Sequence, residues 1–274
     1  MPILNVEMQM CISIAARPSN IGTRFHNYLY EELGLNFVYK GFAVNDDAEG
    51  AVRGVRAFKI RGAAVSMPHK EAVIPFMDEM DPSASAIDAV NTIVNTDGYL
   101  KAYNTDYQAV VDSLKNHQVD TSLAVLVRGS GGMAKAVVAA FKDSGFTELT
   151  IASRNEVTGK ALAEKYGFNW CDESAISKVE GADVLVNVTP LGMSGGNEGQ
   201  LSFPEEMVEK STVVFDVIAM PIETPLYEMG LKHNKAIITG MEIMALQAAI
   251  QFELYTGITL TPDQVKRAAE FSRQ

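Results

Sequence analysis

The segment with the clearest capacity for chemistry is Gly129-Ser130-Gly131-Gly132-Met133-Ala134, which reads as Gly-x-Gly-x-x-Ala. It follows the short apolar run Leu123–Val127 and opens the alanine-rich stretch Met133–Phe141. A strand, a glycine turn and a helix start in that order let backbone approach a pyrophosphate, with the helix N–H groups pointing at it. An NAD site then carries an acid about 20 residues on, for the ribose hydroxyls. Here that place holds Ser153-Arg154-Asn155. A guanidinium stands where a carboxylate is expected. Alone, Arg154 reads as a surface arginine. Beside a glycine loop it reads as a partner for adenine and a 2′-phosphate, which makes NADP the expected cofactor.

Two further side chains have types suited to proton transfer. Lys70 lies just past Ser66-Met67-Pro68-His69. It is either a solvated residue at a helix start or a base whose pKa the helix dipole lowers. His69 is an alternative acid or a packed side chain. Asp106 follows Thr105, which with Gln108 three residues on has the spacing of a capping box. Its carboxylate either favours the helix start or holds an ammonium or a substrate hydroxyl, and spacing does not choose between these. The histidines have no ligand spacing with Cys or carboxylates, so no metal site is expected. The one Gly-x-Ser-x-Gly spacing, Gly192-Met193-Ser194-Gly195-Gly196, lies in a polar, glycine-rich stretch and not between a strand and a helix, so no nucleophile elbow and no hydrolase chemistry are expected.

These residues need a scaffold, and apolar periodicity supplies one. Strands are expected at Met8–Ala15, Asn36–Ala43 and Gly62–Ser66, with helices at Thr23–Leu33 and Ala48–Phe58 between them. A hairpin over Ile93–Leu100 turns at Asp97-Gly98, and a helix follows over Tyr107–Leu114. Leu149–Ala152, Val184–Val188 and Val213–Val217 continue as strands. Polar, glycine-rich Gly192–Gly199 reads as a mobile surface loop, and Thr261-Pro262-Asp263-Gln264 as a helix start. Such alternation predicts an α/β fold with largely parallel sheets.

At 274 residues, two compact domains are expected. The formal net charge of −11 argues against nucleic-acid partners. Cys11 and Cys171 form no disulfide framework and read as structural thiols. The N-terminal residues lack a basic region followed by a long apolar run, and no apolar stretch reaches spanning length. A cytoplasmic protein with no membrane partner is the expectation.

Six segments together resemble the shikimate dehydrogenase family over nearly the whole chain. Val65-Ser66-Met67-Pro68-His69-Lys70 is similar to its V-T-V-P-F-K segment, and Ala89-Val90-Asn91-Thr92 and Asn104-Thr105-Asp106 to its A-V-N-T and N-T-D signatures. Gly129–Gly132 resembles the G-A-G-G loop, Asn187–Met193 the N-x-T-x-x-G-M element, and Gly240 with Gln247 the closing G-x-x-x-x-x-x-Q element. The resemblance implies an N-terminal α/β substrate domain, residues 1–104 completed by 239–274, and a Rossmann-like NADP-binding domain, residues 105–238. It implies reversible hydride transfer between NADPH and 3-dehydroshikimate, giving shikimate, within aromatic amino acid biosynthesis. Lys70 is then the proton donor or acceptor, and Asp106 orients it and the substrate hydroxyls. Ser66, Asn91 and Gln247 grip hydroxyls, and Thr189, Val217 and Gly240 border the cofactor. A monomer or homodimer is expected.

Three departures qualify the resemblance. The family's two carboxylate-binding serines are replaced by Asn20 and Gly22, with Ser19 or Thr23 left to compensate, although Phe25-His26-Asn27 is kept. A substrate-contacting tyrosine becomes Ala219, and a second cofactor arginine becomes Thr158. Each lost hydrogen bond removes about 0.5–1.5 kcal/mol, so modest activity on shikimate is expected. The same changes leave open a dehydrogenase of quinate or another cyclic polyol acid. An NADP-binding sensor without turnover is a reading of another class, opposed by the presence of both Lys70 and Asp106.

Overall fold

In the computed structural model, which describes residues 3–274, β1 (Gln9–Ala15) sends successive side chains to opposite faces of a sheet. Ile12 and Ile14 enter one core with Val52, Val55, Val65 and Ile93, while Cys11 enters another with Phe25, Leu29, Tyr39 and Phe252. Both faces are covered, which is why the strand reads as a near-continuous apolar run. The chain continues through α1 (Asn20–Glu32), β2 (Phe37–Ala43), α2 (Ala48–Ala57), β3 (Gly62–Val65), β4 (Glu79–Met80), α3 (Pro82–Ser85), β5 (Thr92–Thr96) and β6 (Tyr99–Tyr103). The sheet order is β2-β1-β3-β5-β6-β4, with β1 parallel to β2 and β3, and β5 antiparallel to β3 and β6. The expected hairpin forms with Thr96 opposite Tyr99, and Asp97 and Gly98 both take positive φ, 52° and 94°.

The next elements are α4 (Thr105–Asn116), β7 (Val125–Arg128), α5 (Gly132–Asp143), β8 (Leu149–Ser153), α6 (Glu156–Tyr166), β9 (Asn169–Asp172) and β10 (Val184–Asn187). Then come α7 (Glu205–Lys210), β11 (Val213–Asp216), α8 (Pro225–Lys232) and β12 (Ala236–Thr239). The strands form an all-parallel sheet in the order β12-β11-β10-β7-β8-β9, so β7 and its glycine loop sit centrally, between β10 and β8. The chain ends with α9 (Gly240–Thr256) and α10 (Pro262–Ser272). Thr261 and Gln264 make the full capping box expected for α10. An α/β fold built on two parallel-rich sheets is what the sequence predicts.

Two compact units divide the chain: residues up to Thr105 with Ala245–Gln274, and Asp106–Met244. The sequence sets the crossings after residues 104 and 238. The second crossing instead falls inside α9, because that helix continues past the point where its side chains change neighbours. The capping box expected at Thr105 is not made. Thr105 is already the first residue of α4, and the Gln108 amide donates forward to Asp112 at 2.9 Å. Among the described residues no helix is long and apolar enough to cross a membrane. The Gly192–Gly199 segment is largely exposed and built of turns, with the Glu198 carboxylate accepting from the N–H groups of Gly195 and Gly196. Cys11 is buried, but Cys171 is partly exposed.

His26 of α1 is fully buried and stacks on Tyr39 at 4.5 Å. Burial pulls its pKa from an ordinary 6.5 down to about 3, against a weaker opposing pull from Gln251. The unfolded chain therefore takes up a proton near pH 6.5 that the folded chain refuses until about pH 3. Stability present above pH 6.5 is thus lost as pH falls through this window, at about 1.4 kcal/mol per pH unit for this group. Urea midpoints at pH 7, 6 and 5 should fall faster in the native chain than in His26→Phe. Equal slopes would remove His26 as the source.

Candidate active site

In the first unit the candidate substrate residues gather at the C-terminal ends of the parallel strands, where ligands of open α/β sheets bind. Backbone hydrogen bonds tie the segments there. Ser66 N donates to Ile14 O, Ala16 N to Met67 O, Val65 N to Asn91 O, and Val90 N to Lys70 O at 2.8 Å. These bonds bring Ser66, Lys70 and Asn91 to one edge of the sheet, although they come from separate motifs. Ser66 is exposed and Lys70 half-buried.

Lys70 does not open an α-helix. Residues 67–73 are turns that lead to the short 3-10 helix Ile74–Phe76, so the expected helix start is absent there. Beyond Val73 N to His69 O, the following bonds are of the tighter i→i−3 kind, from Ile74 N to Glu71 O and Phe76 N to Val73 O. His69 is buried, with Nε2 at 2.7 Å from Val44 O, which leaves it a packing role.

Behind this edge lies a buried polar network. Asn91 Oδ1 accepts from Thr105 N at 2.8 Å and from Thr92 Oγ1 at 2.8 Å, and Asn91 Nδ2 donates to Thr105 Oγ1 at 3.0 Å. Thr105 Oγ1 lies 3.2 Å from Gln247 Oε1, and Gln251 Nε2 donates to Thr92 Oγ1 at 2.9 Å. Asn91 and Gln247, distant in sequence, are thus linked through Thr105. Thr105 and Gln251 are network members that sequence reasoning missed. The N-T-D segment pointed at Thr105, but as a helix cap.

Ser19 is the N-cap of α1 and makes no side-chain capping bond, while Asn20, Gly22 and Thr23 fill the first turn. A Cβ at Gly22 would meet Tyr39 Oη at 3.6 Å, an ordinary contact, so this position has room for the serine that the resemblance expects. Tyr39 is a further neighbour that the sequence did not single out. Its only signal was its inward position on β2.

Asp106 is the first residue of the second unit. There Gly129 follows β7 with φ 119°, and a Cβ on it would lie 2.9 Å from Val188 Cγ2. Glycine is required by both backbone conformation and space. Gly131 is the N-cap of α5 and has no side-chain cap, and a Cβ at Gly131 or Gly132 would meet nothing within 4 Å. The loop therefore offers bare backbone and an open helix start, which fits a pyrophosphate. Met133 lies in the first turn of α5, and Ala134 is buried beneath it.

Asn187 organises the facing loop. Its Oδ1 accepts from Thr189 N at 3.0 Å and Thr189 Oγ1 at 2.7 Å, and its Nδ2 donates to Asp216 Oδ1 at 3.0 Å. Burial raises the Asp216 pKa, and hydrogen bonds from Thr224, Ile218 N and Asn187 oppose the rise. A Cβ at Gly240 would lie 2.2 Å from Val217 O, so Gly240 is what lets the start of α9 approach that backbone. Ala219 is partly exposed just beyond.

The Ser153-Arg154-Asn155 segment divides its duties. The Ser153 hydroxyl is turned inward, accepting from Trp170 Nε1 at 3.0 Å and donating to Asn155 O at 3.1 Å. Only the Ser153 backbone is left to border a cofactor. Asn155 caps α6 through Oδ1, which accepts from Thr158 N. Arg154 alone reaches outward, with 87% of its side chain exposed and Nε 3.5 Å from Glu173 Oε2. Glu173 was not visible from sequence because β9, the strand before it, carries no apolar alternation strong enough to mark it. No group of three or more His, Cys, Asp or Glu suited to a metal occurs among the described residues.

Comparison with known proteins gives the family and the fold. Residues 20–93 match the family model for the shikimate dehydrogenase substrate binding domain. A shikimate dehydrogenase-like protein of Haemophilus influenzae is 50% identical over 272 residues, covering 99% of each chain. A shikimate dehydrogenase (NADP(+)) of Caldanaerobacter subterraneus is 37% identical over 240 residues, covering 85% of each. Among solved structures, shikimate 5-dehydrogenase of Listeria monocytogenes in complex with shikimate and NAD superposes with a TM-score of 0.89 at 27% identity, over 97% of this chain and 98% of that one.

Two glycines of the loop, Gly129 and Gly131, make separable predictions. Gly129→Ala should lower stability by about 1–3 kcal/mol through backbone strain and overpacking, and should weaken NADP binding. Gly131→Ala should leave the melting temperature unchanged and weaken binding alone. Thermal melts and fluorescence titration of NADPH check both, and undiminished binding in Gly131→Ala would contradict the placement of the pyrophosphate.

Proposed function

The chain belongs to the shikimate dehydrogenase family, and on that premise we propose that it reduces 3-dehydroshikimate to shikimate reversibly with NADPH, at modest activity. The family is one of NADP-dependent oxidoreductases, and the cofactor is NADP. The observation that carries the substrate reading is the strand-end cluster of Ser66, Lys70 and Asn91, backed by the Thr105–Gln247 link. A ring bearing several hydroxyls is worth burying only where each finds a partner, and this edge offers hydroxyl, amide and ammonium groups together.

When bound, the cofactor supplies or accepts the hydride. The protein side of the reaction rests on Lys70 and Asp106. Lys70 gives a proton to the carbonyl oxygen as that atom becomes a hydroxyl, and takes it back in the reverse direction. Asp106 orients the ammonium and accepts from a neighbouring substrate hydroxyl. Ser66, Asn91 and Gln247 hold the remaining hydroxyls, and Ser19 or Thr23 of α1 receives the carboxylate. In the cofactor site, the backbone from Gly129 to Ala134 takes the pyrophosphate, and Arg154 the 2′-phosphate. Thr189, Val217 and Gly240 border the nicotinamide side.

A second reading keeps the chemistry and changes the substrate to quinate or another cyclic polyol acid. It is favoured by the altered first turn of α1, where Asn20 and Gly22 replace two hydroxyls and leave space beside Tyr39.

Purified protein should reduce NADP with shikimate at alkaline pH. Lys70→Ala should lower kcat by about 10²–10⁴ with a smaller change in KM, the range for loss of a general acid–base. Normal turnover in that variant would refute the assigned role. A higher kcat/KM for quinate than for shikimate would favour the second reading.

A further inference from the structure

The end of β8 lacks the acid that marks an NAD site, but the fold supplies one from the adjacent strand. β9 pairs with β8 in parallel, with Asp172 opposite Ser153, and Glu173 follows at once. This places the Glu173 carboxylate beside Arg154, with Oε2 3.5 Å from Nε. From the other side Arg128 grips Glu173 Oε1 through Nε at 2.8 Å and Nη2 at 2.6 Å. The Glu173 and Arg128 side chains are only 18% and 17% exposed, against 87% for Arg154. The carboxylate is therefore the fixed partner, and Arg154 the movable one.

The second cation that the family resemblance expects is also spent differently. Thr158 holds that position, and its Oγ1 lies 2.8 Å from Ser130 Oγ, closing α6 onto the glycine loop. The 2′-phosphate end of the site thus has one solvent-exposed guanidinium, already facing a carboxylate. From this geometry we propose that Glu173 is a cofactor-specificity residue, one that weakens the hold on NADP and admits NAD to the same site. The inference rests on the reading of Gly129–Ala134 and Arg154 as the cofactor site.

The chemistry is direct. A 2′-phosphate recruits Arg154 only by drawing it from Glu173, and then sits beside a carboxylate of like charge. A ribose that keeps its 2′-hydroxyl donates a hydrogen bond to the same carboxylate and needs no cation. Specificity is the difference between two affinities, and Glu173 moves both terms in one direction.

Calorimetric titration of the full chain with NADP and with NAD, without substrate, tests this. In the native chain the two affinities should lie within about tenfold of each other. Glu173→Gln keeps an acceptor for Arg128 and removes the charge. It should tighten NADP and weaken NAD, moving their ratio by about threefold or more. A native preference for NADP of about a hundredfold, or an unmoved ratio in Glu173→Gln with both nucleotides bound, overturns the inference alone. Failure of either nucleotide to bind the native chain overturns the cofactor site and this inference with it. Should Glu173→Gln not fold, Arg154→Ala decides. A loss of NADP affinity below about tenfold supports competition by Glu173, and about a hundredfold loss overturns it.

Discussion

The satisfaction of one buried amide, that of Asn91, governs the substrate side of this protein. Removed from water, each of its polar atoms must find a partner, and a buried group left unsatisfied costs about 1–3 kcal/mol. Its partners are Thr92 on the next position and Thr105 fourteen positions on. Meeting them fixes where the β5–β6 hairpin returns and where α4 begins. Thr105 in turn meets Gln247, so the last segment of the chain is placed by the same requirement. Lys70 inherits its position from this arrangement, because its carbonyl is bonded to Val90 N, one residue before the amide.

The second unit repeats the logic with a carboxylate. Asp216, at the end of β11, is buried and is held by Thr224, Asn187 and the N–H of Ile218. Asn187 then shapes the Thr189 turn, whose neighbour Val188 presses against Gly129. The glycine loop is accordingly walled on one side and open at Gly131 and Gly132. Packing makes the wall, and absence of side chains makes the opening. In both units a buried polar group at a strand end builds the structure, and candidate ligand-binding residues stand at or beside it. Pre-organisation of that kind is what binding sites on rigid scaffolds require.

The electrostatics around Arg154 follow a different rule. The Arg154–Glu173 pair is exposed on the arginine side and so contributes little to stability, about 0–1 kcal/mol by analogy with other surface pairs. Its interest is positional: a weak pair is readily exchanged when a ligand arrives. The Arg128–Glu173 pair is shielded from solvent on both sides, which keeps the carboxylate in place. A shielded anion beside an exposed cation is the arrangement on which the proposed cofactor specificity rests.

Read alone, the sequence determined the alternation of strands and helices, the Asp97-Gly98 hairpin, the capping box at Thr261 and the glycine turn that opens α5. Each depends on neighbours within a few residues: side-chain period, positive φ, a cap three positions away. The resemblance to the family's motifs is what proposes Lys70 and Asp106 as a pair, which spacing could not do. Other features required the tertiary structure. Lys70 stands on a turn and not on a helix, because the backbone around it is spent on bonds to β1 and to Val90. Thr105 serves the Asn91 network and not a capping box, because a partner fourteen residues away claims its hydroxyl. Ser153 is turned to Trp170, and the acid beside Arg154 comes from the next strand. Local geometry is written in neighbouring residues, whereas a buried polar group is satisfied by whichever partner the fold brings within hydrogen-bond reach, and that partner has no fixed distance along the chain.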